Sequence, residues 1–175
     1  DLLYELLLSV SALTLSQYCG SEDVVVGVPV DTRDMQSSQM IGMFVNTIPV
    51  RIRPKRGMQL FDYLSSVSDL FRQVTRACNV PFETLVSRFR PTRDDSRNPL
   101  FDMSVNYLIS PEAYHGKGDD GELSVEISSP LQRMSRDIGL VFWRKKDSIQ
   151  LLMQYSSELF DKDVMNNFLE QITFA

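Results

Sequence analysis

Arg93-Asp94-Asp95-Ser96-Arg97-Asn98-Pro99-Leu100-Phe101 concentrates turn chemistry immediately before a strand. Ser96 and Asn98 carry side chains that bond nearby backbone, and Pro99 fixes its own φ, so the stretch reads as a rigid turn. Asp94 or Asp95 can pair with an arginine in the same segment. A structural role for these residues is favoured over substrate contact. Beyond the turn the period switches to two. Phe101, Met103, Val105, Tyr107 and Ile109 alternate with Asp102, Ser104, Asn106 and Leu108, which describes a strand with one apolar and one largely polar face.

Upstream, Leu2, Leu3, Leu6, Leu7, Val10 and Leu13 follow helical spacing, with Leu8, Ala12 and Leu15 on other faces. Such a helix should be buried nearly all round, with Gly20 as its stop. Val24 to Val30 is an unbroken β-branched run suited to a strand buried on both faces. Pro29 lacks an N–H, so the strand should leave its sheet there. Residues 31–39 read as a loop and 41–53 as the next extended element. A second helix is expected over 58–77, with Leu60, Phe61, Leu64, Val67, Leu70, Phe71 and Val74 on one stripe. Pro81 suits a first helical position, opening a short helix through Phe82, Leu85, Val86 and Phe89 that Pro91 stops.

Downstream, residues 110–121 are rich in Gly and charge and should form an exposed loop. Leu123, Val125 and Ile127 alternate with polar residues in a further half-buried strand. Ile138 to Trp143 and Ile149 to Tyr155 look like a hairpin turning through Lys145-Lys146-Asp147-Ser148. Asp161 can cap a last helix whose Val164, Phe168 and Ile172 face inward. The order α-β-β-α-α-β-β-β-β-α implies an α/β fold, a mixed β-sheet covered by helices.

With 175 residues, 43% of them apolar, the chain can bury a real core in one domain or one lobe of a larger one. A net charge of −5 and scattered basic residues argue against nucleic acid as a partner. The cluster Arg51, Arg53, Lys55 and Arg56 closes a strand and reads as a solvated end. Cys19 and Cys78 form neither a metal spacing nor a disulfide framework, and are expected as buried or idle thiols. The apolar N-terminal run is broken by Tyr4, Glu5, Ser9 and Ser11 and falls short of the roughly 20 residues that span a bilayer. No membrane contact and a cytoplasmic location are therefore the expectation.

Chemistry is sparse. His115 is the one histidine, in a predicted exposed loop, and a surface role is favoured over catalysis. No Gly-x-Ser-x-Gly elbow exists. One His and two distant Cys leave only carboxylates for a metal, so no metal site is expected. Gly116, Gly118 and Gly121 make no phosphate loop, because no Lys-Ser or Lys-Thr pair follows them. From the residues alone no catalytic residue can be named.

Four ordered segments nevertheless resemble the condensation domains of nonribosomal peptide synthetases. Asp23 to Val30 with Arg33 after it is similar to the family's Val-Val-Gly-x-Pro-Val…Arg segment. Ile41 to Thr47, with Arg51 four residues on, resembles Gly-x-Phe-x-Asn-Thr. Ser96 to Phe101 matches Ser-Arg-Asn-Pro-Leu-Phe in full. Asp137, then Tyr155, Leu159, Phe160 and Asp161, resemble the closing Asp-Leu…Tyr…Leu-Phe-Asp pattern. The adjacent-histidine motif of the family, His-His-x-x-x-Asp-Gly, does not occur in the sequence. Val28 stands where the family often has Thr or Ser.

The resemblance implies a chloramphenicol-acetyltransferase-like lobe: residues 1–175 as the C-terminal subdomain of a condensation domain, without the N-terminal catalytic subdomain. It implies a floor loop near 28–39 and a latch near 105–131 reaching the other lobe. Arg33, Asn46, Thr47 and Asn106 become candidates for the substrate tunnel or the lobe interface. Arg33 could pair with an acid of the other lobe or approach a pantetheine phosphate, and the salt bridge is favoured. Asn46 and Thr47 are polar side chains in an apolar strand, which must be satisfied; structural bonding is favoured over substrate contact. Ser96, Arg97, Asn98, Pro99 and Asp137 are implied as structural motif residues.

The implied partners are the N-terminal lobe and the peptidyl or aminoacyl carrier proteins, whose phosphopantetheine carries the substrates; this chain itself is expected to bind no cofactor. Alternatives left open are a non-catalytic carrier-binding module and half of an epimerization or cyclization domain. An isolated lobe should also expose apolar surface and self-associate.

Overall fold

The computed structural model describes residues 2–89, 98–109, 115–118, 121–124 and 137–174. Helix α1 (Leu2–Cys19) leads into strand β1 (Val24–Asp31) and then β2 (Val45–Ile52). Helices α2 (Leu60–Thr75) and α3 (Phe82–Phe89) precede β3 (Met103–Ile109). Two short strands follow, β4 (His115–Gly118) and β5 (Gly121–Ser124), then β6 (Ile138–Arg144), β7 (Ile149–Tyr155) and α4 (Lys162–Phe174). The elements match the expected order except in one place. Where the Gly-rich loop was expected, β4 and β5 form a separate antiparallel two-stranded sheet. The predicted strand over Leu123 to Ile127 is described only as far as Ser124.

Local chemistry sets the boundaries. Helix α1 ends as Gly20 turns to φ +60°, with Ser21 N–H donating to Ser16 O and Gly20 N–H to Gln17 O at 3.1 and 3.3 Å. This is the 6→1 and 5→2 pattern that satisfies the last carbonyls of a helix, and it needs a residue without a Cβ penalty. At α4, Asp161 Oδ1 accepts the Asp163 N–H at 2.8 Å, the expected cap. The β6–β7 hairpin closes where Lys145 N–H donates to Ser148 O at 2.8 Å.

The five-stranded sheet runs in the order β2-β1-β3-β6-β7. Strands β1, β3 and β6 are mutually parallel, and β2 and β7 are antiparallel edge strands. One face is continuous apolar core. Val24, Val26 and Val28 of β1 meet Ile48, Val50 and Ile52 of β2, Met103 and Val105 of β3, and Ile138, Leu140 and Phe142 of β6. Leu8 and Ala12 of α1, Tyr63 and Val67 of α2, and Met165, Phe168 and Ile172 of α4 pack on this layer.

Pro29 has the effect its chemistry predicts on one side only. β1 stays paired with β2 through Asp31, but its pairing with β3 stops after Val26–Met103 and Gly27–Ser104. A proline offers no N–H to a second neighbour. The last residues of β3 remain paired with β6 while β1 diverges from them.

Several expected facings are corrected. α1 is the central helix, yet Leu2 and Leu6 are exposed while Glu5, Ser9, Ser11, Thr14 and Ser16 are buried. Burial of these polar residues is tolerated because Ser9, Ser11 and Thr14 return their hydroxyls to carbonyls four residues back. The Glu5 carboxylate accepts from Ser68 Oγ and lies 3.7 Å from Arg72 Nη2. At 18 residues and mean hydropathy 1.2, α1 passes the length and composition test for a membrane span, with 44% of it buried in this fold. Leu60 and Phe61 open α2 on the solvent side, and Val164 of α4 is exposed while Met165 takes the inward position.

Candidate functional site

Asn46 sits at the start of β2 with its whole amide engaged. Nδ2 donates to Cys78 O and Val80 O, both at 2.7 Å. Oδ1 accepts from Thr47 N–H at 2.9 Å and Phe82 N–H at 3.2 Å. An amide has two donors and two acceptor positions, so nothing is left for a substrate. The side chain ties the α2–α3 turn to the sheet. Thr47 beside it is half-buried and pairs with Pro29.

Arg33 is engaged within its own loop. Its Nη1 lies 3.1 Å from Asp31 Oδ2, its backbone N–H donates to Asp31 Oδ1 at 2.9 Å, and its guanidinium stacks 4.7 Å above the Phe44 ring. The salt bridge favoured from sequence was with an acid of the other lobe; the pair described here is with Asp31 of the same chain. The Arg33 N–H and guanidinium hold the Asp31 carboxyl below the usual carboxylate range. Thr32 ties the loop base, its N–H and Oγ1 both donating to Phe44 O at 2.8 and 2.9 Å. Asp34 Oδ1 accepts from the Gln36 and Ser37 N–H groups and from Ser37 Oγ. Between these braces Met35, Met40, Ile41 and Met43 project into solvent, Ile41 fully. A backbone this well tied, carrying side chains this apolar, is a rigid presentation of a sticky surface.

The basic cluster also has partners. Arg51 makes a two-pronged contact to Asp23 at 2.8 and 2.6 Å, Arg53 adds a third bond at 3.2 Å, and Arg56 reaches Glu22 at 3.9 Å. Asp23 is held down to about 2, first by its hydrogen bond to Arg51.

The divergence of β1 from β3 opens a cavity of about 350 Å³. Pro29, Val30 and Asp31 line it from β1 and Tyr107 from β3; Tyr4, Phe71, Thr75 and Cys78 close it from the helical layer. Tyr4 donates its hydroxyl to Val105 O at 3.1 Å, a carbonyl on the part of β3 that β1 has left. Burial pushes the Tyr4 phenol well above its ordinary range. The Tyr107 hydroxyl is buried and has no hydrogen-bond partner among the described residues. A buried donor left unpaired costs about 1–3 kcal/mol. Tyr107 lies on the apolar parity of its strand, as the alternation predicts, but a tyrosine there also brings a hydroxyl that needs a partner.

The remaining expected residues are dispersed. Asn106 is half-buried on β3, level with Val141. Asp137 is buried where β6 begins, its carbonyl accepting from Ser156 N–H at 3.0 Å. Asn98 Oδ1 accepts from Leu100 N–H at 3.3 Å, the turn role expected of it, and Pro99 is exposed. Ser96 and Arg97 lie outside the described residues. His115 falls in β4 rather than in a loop. Cys19 is an exposed free thiol and Cys78 a half-buried one. Among the described residues no group of three or more His, Cys, Asp or Glu could hold a metal.

A five-stranded mixed sheet with its core face under helices defines the class: an α/β fold of chloramphenicol-acetyltransferase type. The condensation-domain family pattern matches residues 2–174. This chain belongs to the condensation-domain family. It is 35% identical over 172 residues to bacitracin synthase 1 of Bacillus licheniformis, covering 97% of this chain and 3% of that protein. Against gramicidin S synthase 2 of Brevibacillus brevis it is 33% identical over 166 residues, 93% of this chain and 4% of the relative. The starter condensation domain of the rhizomide synthetase RzmA superposes with a TM-score of 0.77 at 19% identity, covering 98% of this chain and 42% of that one. The X-domain from teicoplanin biosynthesis superposes at 0.83 and 18% identity, over 97% and 39%.

Proposed function

We propose that this chain is the C-terminal lobe of a nonribosomal peptide synthetase condensation domain and supplies one wall of its reaction tunnel. The observation that carries the reading is coverage. Nearly the whole chain aligns with condensation-domain structures, yet it spans only 42% of the starter domain. The paired-histidine motif does not occur in its sequence. The N-terminal lobe then provides the histidine that assists the acceptor amine. In that reaction the amine nitrogen attacks the donor thioester carbonyl, the C–N bond forms, the C–S bond breaks and the carrier thiol leaves. Both substrates arrive on phosphopantetheine arms of carrier proteins, and this chain binds no cofactor of its own. The setting is cytoplasmic secondary metabolism.

In this reading the floor loop near 28–39 lies on the tunnel floor, its first residues ending β1, and the apolar side chains in it and just beyond it face the partner lobe. The hairpin β4–β5, separate from the main sheet, belongs to the latch. Residues 105–109 of the expected latch instead continue the central sheet through β6. The exposed Met35, Met40, Ile41 and Met43, with Leu2, Leu60 and Phe61 elsewhere, support a chain that meets a partner and self-associates without it.

The test mixes the chain with a separately expressed N-terminal lobe and two loaded carrier proteins. Amide product from the pair, and none from either lobe alone, supports the proposal. Turnover by this chain alone that survives His115→Ala overturns it. The second reading, a non-catalytic binding module, draws on the likeness to the X-domain, which is also known in complex with OxyB. Carrier titration followed by NMR decides it: shifts without any reconstituted activity favour the module. A strictly monomeric sedimentation profile at high concentration contradicts self-association.

A further inference from the structure

We infer that the cavity between β1 and β3 is a subsite for an uncharged side chain bearing a hydrogen-bond acceptor, such as a carboxamide, on an aminoacyl substrate. The inference rests on the condensation reading and goes beyond it in naming what enters this cavity. Three observations converge. The strands part just where Pro29 cannot pair, and the gap is lined rather than collapsed, with about 350 Å³ of space. That volume is at the lower end for small-molecule sites, roughly 300–1,000 Å³, and suits one side chain rather than a whole peptide. The walls are aromatic, Tyr4 and Phe71 meeting edge-on at 5.2 Å and Tyr4 and Tyr107 tilted at 5.8 Å. Tyr107 lines the cavity, and its buried hydroxyl is a donor with no acceptor among the described residues, which a shift of the side chain about χ1 would offer to an occupant.

Charge selects the class. Among the described residues the only ionisable acid or base lining the cavity, apart from its tyrosines and Cys78, is Asp31, and Asp31 is already bonded to the Arg33 N–H and guanidinium. An anionic side chain would approach the Asp31 carboxylate, whose neighbouring cation, Arg33, is already paired with it. A cationic one would have to displace Arg33. The position also fits delivery, because Asp31 ends β1 and opens directly into the loop over 32–44. Thr75 Oγ1 donates within its own helix, to Phe71 O at 2.9 Å, so that wall can be altered without orphaning another element.

The experiment titrates the chain with N-acetyl methylamides of glutamine, phenylalanine and glutamate, read by NMR on the Tyr4, Thr75 and Tyr107 signals. We expect saturating shifts with the glutamine compound and binding of the glutamate compound weaker by about tenfold or more. Tyr107→Phe should weaken the glutamine compound about fivefold and leave the phenylalanine compound unchanged. Thr75→Leu, which narrows the cavity, should abolish the shifts. No saturation with any compound, equal binding of glutamate, or shifts that survive Thr75→Leu each overturn the subsite. A cavity that holds only water gives the first of these. In the parent condensation domain, a wild type that makes no amide overturns the condensation reading instead. A parent carrying Thr75→Leu that is undiminished in rate and selectivity overturns the subsite alone.

Discussion

The Nδ2 of Asn46 and the carbonyl oxygen of Val80 lie 2.7 Å apart although 34 residues separate them in sequence. With the companion bond to Cys78 O and the acceptance from Phe82 N–H, one amide organises the whole α2–α3 turn. The turn carries few other constraints beyond its local Cys78–Thr75 and Val80–Ala77 bonds. It is therefore Asn46 that holds Cys78 where it can line the cavity beside Tyr107.

Asn46→Ala should destabilise the fold by about 2–4 kcal/mol, because it removes several bonds and strands backbone groups of the turn. Asn46→Asp should be at least as damaging, since a carboxylate would face the carbonyls of Cys78 and Val80. Urea unfolding checks both, and a loss under about 0.5 kcal/mol would contradict the clamp.

Gly27 makes room for Phe101. A Cβ at position 27 would run into the Phe101 ring, which is 4% exposed and packs edge-on against Phe82 at 5.7 Å. Gly27→Ala should cost about 1–3 kcal/mol through overpacking. Trimming the ring in Gly27→Ala/Phe101→Leu should return part of that loss in the same unfolding assay. Strict additivity of the two changes would show that they do not meet.

Asp23 sets an acid limit. Its folded pKa of about 2 lies below the ordinary unfolded value near 3.9. A depressed carboxylate contributes stability above the unfolded value and loses it as pH falls through the folded one. Stability should therefore decline between about pH 4 and pH 2, and Asp23→Asn should flatten that part of the curve. High salt should weaken the effect, because Arg51, Arg53 and Asp23 are all exposed.

Tyr4 and Tyr63 set an alkaline limit. Burial raises both phenols well above the ordinary value near 10, and each hydroxyl donates to a backbone carbonyl, Val105 O and Ser9 O. A raised folded pKa gives stability that is whole below the unfolded value and is lost as pH rises beyond it. Phenolate absorbance should show these two rings ionising only with unfolding, above about pH 10. Tyr4→Phe should cost about 1 kcal/mol at neutral pH.

Much of the fold was legible from local pattern. Alternation from Phe101 to Ile109 placed β3, the β-branched run placed β1, and Gly20, Asp161 and the Lys145–Ser148 turn marked their boundaries, because these signals act over a few residues. The misread facings have a common cause. Leu60, Phe61 and Val164 are apolar residues at helix starts, where periodicity continues past the point at which the neighbouring layer ends. Buried Ser9, Ser11 and Thr14 look polar in sequence, but their hydroxyls are satisfied by their own helix.

The site was less legible. Family motifs pointed to Arg33 and Asn46, and both prove to be bound within the chain; Tyr4 and Tyr107, which carry the cavity, belong to no motif read in advance. Within Asn98–Phe101 the chain's own residues were enough to specify a turn followed by a strand, since proline, asparagine and the period-two pattern act locally. That Phe101 then fills the space beneath Gly27, that Asn46 reaches a turn over thirty residues away, and that Pro29 parts β1 from β3 while keeping β2 were decided only by the assembled sheet. Such contacts depend on which strand lies beside which, and no spacing along the chain encodes that.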